Sequence, residues 1–168
     1  MNKRIKPLVL VVAKSGVGKS YIVNKICEDF NKREVISRTT RKPRFQNEST
    51  HVFVSNKQAD KEFNNSIAKT IFDRNRYYTL EEDLEGRDIY IIDPRGVKSM
   101  KDKGIDFKTV YINANLITRI KQMRKRGDKW ISILSRIIND FFAFYKFKGD
   151  INLKSSTDLY YYFMNGIL

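Results

Sequence analysis

At 168 residues, 41% of them hydrophobic, the chain suits one ordinary domain with a real core and excludes a disordered one. Its 33 Lys and Arg against 19 Asp and Glu give a formal charge of +14, a field that draws in anionic partners: nucleotides, nucleic acid or acidic lipid. Cys27 is the only cysteine, which rules out an intrachain disulfide and points to a reducing, cytoplasmic setting.

Lys3, Arg4 and Lys6 precede the apolar run Leu8 to Ala13, an imitation of a signal peptide. The run is short for that role and leads straight into a glycine loop, so a buried first strand over 7–12 is expected. No stretch is long enough to span a membrane. A helix over 18–31 follows, on which Cys27 shares a face with Ile22, Val23, Ile26 and Phe30 and serves packing. Residues 34–80 differ in character, with short β-like runs at 34–37, 51–55 and 67–72 between basic loops, and suggest a small inserted lobe. The β-branched apolar runs at 89–92 and 107–112 read as parallel strands covered on both faces. Helical spacing predicts 95–102, 115–126 and 129–146, then a strand near 150–153 and a helix at 156–167. Strand alternating with helix implies a parallel sheet wrapped by helices.

Residues 13–20 read AKSGVGKS. They satisfy the phosphate-binding loop G-x-x-x-x-G-K-[ST] except at the first position, where Ala13 stands for glycine. Such a loop turns backbone N–H groups around a phosphate, and the helix that follows adds partial positive charge. Ser15, Gly16, Val17, Gly18, Lys19, Ser20 and Tyr21 are the candidate phosphate-binding residues. Gly16 and Gly18 supply backbone freedom, Lys19 the cation, and Ser20 a hydroxyl for Mg²⁺. Alanine at the first position adds one methyl, costly only where that residue needs positive φ or touches a neighbour.

The next informative stretch is Ser37-Arg38-Thr39-Thr40-Arg41-Lys42-Pro43-Arg44. Arg41 and Arg44 form a fork suited to a dianionic phosphate, because guanidinium binds phosphate bidentately. A solvated basic loop or an RNA-binding patch fits the same residues, and the stretch alone does not choose.

S-x-TTR-x-PR shortly after a phosphate-loop helix resembles guanylate kinase. HVFVS at 51–55, RYY at 76–78, GRDIYIIDPRGVKSM at 86–100 and RKRGDKWISILSRI at 124–137 are similar to later family segments in the same order. The resemblance implies an α/β fold: a P-loop NTPase-type parallel sheet flanked by helices, with a small inserted NMP-binding lobe and a helical lid. It implies one domain over 1–168, with core at 1–33, 86–120 and 145–168, insert at about 34–85 and lid at about 121–144. It also implies transfer of the ATP γ-phosphoryl group to GMP, dGMP or a related monophosphate, with Mg²⁺. Ser37, Arg41, Arg44, His51, Tyr78 and Asp93 fall where the family holds the monophosphate. The arginines and the tyrosine there meet phosphate, and the serine meets the base. Lys19, Arg126 and Arg136 fall at its catalytic cations.

Departures concentrate on base recognition. Lys69 falls at the glutamate that reads guanine, Leu80 at a serine, Ile91 at the first aspartate of D-x-D, and Gln122 at an earlier lid arginine, with Arg124 a substitute. The chain is short between Tyr78 and Asp93, which leaves Glu81, Glu82 or Glu85 to reoccupy the base pocket. Two other readings stay open: a guanylate-kinase-like binding module without catalysis, and a basic nucleic-acid-binding protein using Tyr160 to Phe163. Partners are expected to be nucleotides, with nucleic acid not favoured, no membrane, and a monomer or homodimer.

Overall fold

The computed structural model describes residues 7–168; Lys3, Arg4 and Lys6 lie outside the described residues. Four parallel strands form the main sheet in the order β6-β1-β7-β8: β1 (Leu8–Ala13), β6 (Ile89–Ile92), β7 (Phe107–Ile112) and β8 (Ile151–Leu153). Every residue of β1 is buried, as expected of a central strand covered on both faces. Strand alternation divides its side chains between two cores. Val9, Val11 and Ala13 pack with α1 (Lys19–Asp29) and α6 (Ser156–Met164), whereas Leu8, Leu10 and Val12 pack with α3 (Pro94–Asp102) through Val97 and Met100. Cys27 is partly buried against the first of these cores, and burial pushes its thiol up to about 11, so it is an inert packing residue.

Residues 38–79 build a second sheet, ordered β3-β2-β5-β4: β2 (Arg38–Thr39), β3 (Val52–Phe53), β4 (Ala68–Phe72) and β5 (Asn75–Thr79). The expected run at 34–37 supplies only a bridge from Glu34 to Ile89. β5 and the short α2 (Asn56–Glu62) were not anticipated by the sequence pattern. This lobe is seated on the core by α3, where the Ser99 hydroxyl donates to the Ile67 carbonyl at 2.9 Å.

Local chemistry sets the remaining boundaries. α3 starts where Asp93 caps it, its carboxylate accepting from the Gly96 N–H at 2.7 Å, with Pro94 next. α4 (Leu116–Lys125) is capped by Asn115, and α6 by a reciprocal box between Ser155 and Asp158. α5 (Trp130–Ala143) stops short of 146, because Phe144 leaves the helical region and Lys146 turns to positive φ. Among the described residues no helix is long and apolar enough to cross a membrane.

Candidate active site

The turn from β1 into α1 explains the loop sequence. Gly16 and Gly18 sit at φ of 79° and 84°, the left-handed region that favours glycine. A Cβ on Gly16 would also stand 2.6 Å from the Arg119 carbonyl. Ala13 is instead the last residue of β1, buried and without positive φ, so a methyl is tolerated there.

The Ser15 peptide is held from both sides. Its N–H donates to Asp140 at 2.9 Å and its hydroxyl to the other carboxylate oxygen at 3.3 Å. Arg119 Nε donates to its carbonyl at 2.8 Å, and Arg119 is itself ion-paired with Asp140. Arg119 and Asp140 are both buried. Neither carried a local signal, since they join α4 and α5 to a loop more than a hundred residues away. Lys19 Nζ reaches the Lys14 carbonyl at 3.5 Å. Burial lowers the Lys19 pKa to about 8; Asp140 pulls it up, while Arg136, Arg126 and Arg119 push it down.

Two cavities meet at this lysine. The smaller, about 290 Å³, is lined by Gly16, Gly18, Lys19, Ser20 and Tyr21 with Arg126 of the segment after α4. The larger, about 480 Å³, lies between the two sheets and α5, and Lys19, Ser15, Arg44, Asp93 and Arg136 all face it. Arg126 and Arg136 converge on Asp128, Arg126 by paired hydrogen bonds and Arg136 at 3.9 Å.

On the lobe side, Ser37 and His51 are joined at 2.9 Å and both line the larger cavity. Burial, then the nearby Arg41 charge, holds the His51 pKa below its ordinary value, so the ring is neutral near pH 7. Arg41 does not line the cavity. Its guanidinium forks onto Glu48, with Nη2 to Oε1 at 2.8 Å, although its buried Nε–H is left without a partner. Glu48 also accepts from the Arg44 N–H at 2.6 Å and the Thr50 hydroxyl at 2.6 Å, and these donors hold its carboxyl far below the usual range. This buried carboxylate shapes the loop that presents Arg44. The sequence reading missed it, although a lone acid four residues after Arg44 in a basic stretch was its signal.

Tyr78 is 1% exposed, its hydroxyl donates to Glu62 at 2.7 Å, and it is not among the residues lining the cavity. Tyr77 lines the cavity instead, opposite Thr70 on the neighbouring strand. Lys69, cross-strand from Tyr78, sends its ammonium to the Asn64 carbonyl at 3.4 Å and over the Phe63 ring. Glu81, Glu82 and Glu85 do not reoccupy the pocket; Glu82 pairs with Arg38, which also binds Asp83 and Glu62. Asp93 lines the cavity while capping α3, and Arg95 beside it is a cation the sequence reading passed over.

Among the described residues no group of His, Cys, Asp and Glu is arranged to hold a metal alone. The exposed Ser20 hydroxyl lines the smaller cavity, which suits a Mg²⁺ that arrives on nucleotide phosphates and takes little from the protein.

The family model for guanylate kinase matches residues 4–139. The crystal structure of a guanylate kinase from Anaplasma phagocytophilum is similar in fold, with a TM-score of 0.68 at 15% identity over 98% of this chain and 86% of that one. An uncharacterized protein from Eubacterium ventriosum ATCC 27560 is also similar, with a TM-score of 0.50 at 13% identity over 96% of this chain and 98% of that one. No curated protein matches the sequence. The fold is the α/β P-loop NTPase type, and with the family model matched over most of its length the chain belongs to the guanylate kinase family.

Proposed function

We propose that the protein is a nucleoside monophosphate kinase that moves the γ-phosphoryl group of ATP to GMP, dGMP or a related monophosphate. Family membership supports a kinase of nucleotides. The observation that carries the reaction is Lys19 lining both cavities, with the phosphate loop and Arg126 on one side and Ser37, Arg44, His51 and Tyr77 on the other. In this reading the smaller cavity takes the ATP phosphates and the larger takes the acceptor. The insert at about 34–85 acts as the acceptor lobe and residues 121–144 as the lid.

An acceptor phosphate is already an oxygen nucleophile, so no strong base is required. Its oxygen bonds to the γ-phosphorus, the bond from that phosphorus to the β–γ bridging oxygen breaks, and ADP leaves. The difficulty is bringing two polyanions together and neutralising the charge that spreads over the transferring group. Lys19 and Arg136 face that junction, Arg44 and Tyr77 hold the acceptor phosphate, and Arg126 reaches over the donor. Mg²⁺ on Ser20 and the ATP phosphates would add charge neutralisation of the same kind. Closure of the α5 segment would exclude the water that hydrolyses ATP.

Specificity for guanine is the finer part of the reading. Lys69 offers no carboxylate, and the larger cavity presents Thr70, Ser37, His51 and Asp93 as hydrogen-bonding groups. The test is ATP-dependent diphosphate formation across the common ribo- and deoxyribonucleoside monophosphates, with Lys19→Ala as control. Turnover of a guanine monophosphate, reduced roughly 10²–10³-fold in the control, supports the proposal. A pyrimidine preference overturns the guanine assignment, and equal traces from both proteins favour a binding module.

A further inference from the structure

Ile133 and Asp140 are the buried residues of α5. Ile133, Arg136 and Asp140 face the core and the cavity, and a separate apolar face points outward. Ile131, Leu134, Ile138 and Phe141 recur at spacings of three, four and three residues. That is the seam one helix presents to another, with β-branched residues alternating with Leu or Phe. Tyr145, in the turn just past the helix, extends the row by packing on Phe141 with ring centroids 6.5 Å apart. All five are exposed, Ile131 by 83%.

The flanking positions are Trp130 and Ile137 on one side and Ser135 and Phe142 on the other, and none carries charge. Phe142 belongs to the lining of the larger cavity. With Trp130 alone added, the row exposes on the order of 750 Å² of largely apolar surface, taking roughly 200 Å² per large side chain. That exceeds the largest patch of a typical monomer, about 300–600 Å², and approaches the ~800 Å² per partner of a stable interface.

We propose that this stripe is an isologous interface, on which α5 of one chain packs against α5 of a second copy. A helix seam needs a helix partner, and a twofold axis supplies the same helix with the same uncharged flanks, so no charged pair opposes self-association. Cations sit at both ends of the stripe, Arg124 over the Trp130 ring and Lys146 over Tyr145, so a twofold axis sets like charges only at the rim, where solvent and salt screen them. Three aliphatic residues in the row suit a helix groove better than a stack of nucleic-acid bases. This inference does not depend on the kinase reading, although the interface would steady the helix that carries Arg136.

Sedimentation of the full chain over a range of concentrations tests it, beside Ile131→Glu and Phe141→Glu and the conservative Ile131→Leu. Both glutamates fall on exposed side chains outside the cavities, and circular dichroism and the melting temperature verify folding. The expected result is a monomer–dimer equilibrium for the wild type and Ile131→Leu, and monomer for each glutamate variant. Added salt should tighten the dimer, because it screens two chains of charge +14 each. A wild type that stays monomeric, or glutamate variants that still dimerise, overturns the proposal. So does a monomer whose stripe instead binds anionic phosphatidylglycerol vesicles or single-stranded DNA, with binding that weakens in salt and is lost in the variants.

Discussion

Single side chains carry the sharpest consequences. Lys19, with its pKa lowered to about 8, is charged below that pH and neutral above it in the nucleotide-free protein. ATP affinity measured by calorimetry should therefore weaken as pH rises through about 8. Lys19→Arg should flatten that profile, since arginine stays charged. The two tyrosines separate by role. Tyr77→Phe should raise the KM for the acceptor and leave the melting temperature nearly unchanged. Tyr78→Phe should spare KM and cost about 1 kcal/mol of stability, the value of a lost hydrogen bond to Glu62. Asp140→Ala strands Arg119 as a buried unpaired charge and should cost about 3–5 kcal/mol. It also frees the Ser15 peptide, so ATP affinity should fall with it.

At the scale of elements, what the sequence revealed depended on how local the determinant is. The phosphate loop, the three apolar strands and the amphipathic helices are written in neighbouring residues and lie within a few residues of their expected bounds. Tyr77 and Tyr78 point to opposite faces of β5, and its pairing with β4 decides which of them meets the cavity. β4 and β5 are joined by Asp73 and Arg74, both at positive φ, a two-residue hairpin turn without the usual Asn-Gly signal. A shift of one residue there sends every side chain to the other face. The clamp of Ser15 by Arg119 and Asp140, and the Glu48 buttress beneath Arg41, depend on tertiary contact that periodicity cannot report. A pH effect also belongs to this scale. Burial raises the Glu34 carboxyl from 4.5 to about 7 where it bridges to the edge strand β6. The folded state therefore binds the proton more tightly than the unfolded chain. Its contribution to stability is complete below pH 4.5 and is lost as pH rises through about 7. Glu34→Gln should remove that loss, melting above the wild type at pH 8 and close to it at pH 4.

Charge converges across the whole molecule. The start of α1 contributes Lys19, the loop after β2 Arg44 and α5 Arg136, and all three face one cavity although they come from distant parts of the chain. Internal carboxylates hold the surrounding cations in place: Asp140 on Arg119, Glu48 on Arg41 and Asp128 between Arg126 and Arg136. The proposed reaction requires two nucleotide tails to meet at Lys19. Calorimetric binding of a bisubstrate ligand, in which a polyphosphate joins adenosine to guanosine, probes that meeting point. One ligand per chain is expected, bound more tightly than ATP or GMP alone and weakened by Lys19→Ala, Arg44→Ala and Arg136→Ala. Binding no tighter than ATP, and indifferent to Arg44→Ala, would contradict it.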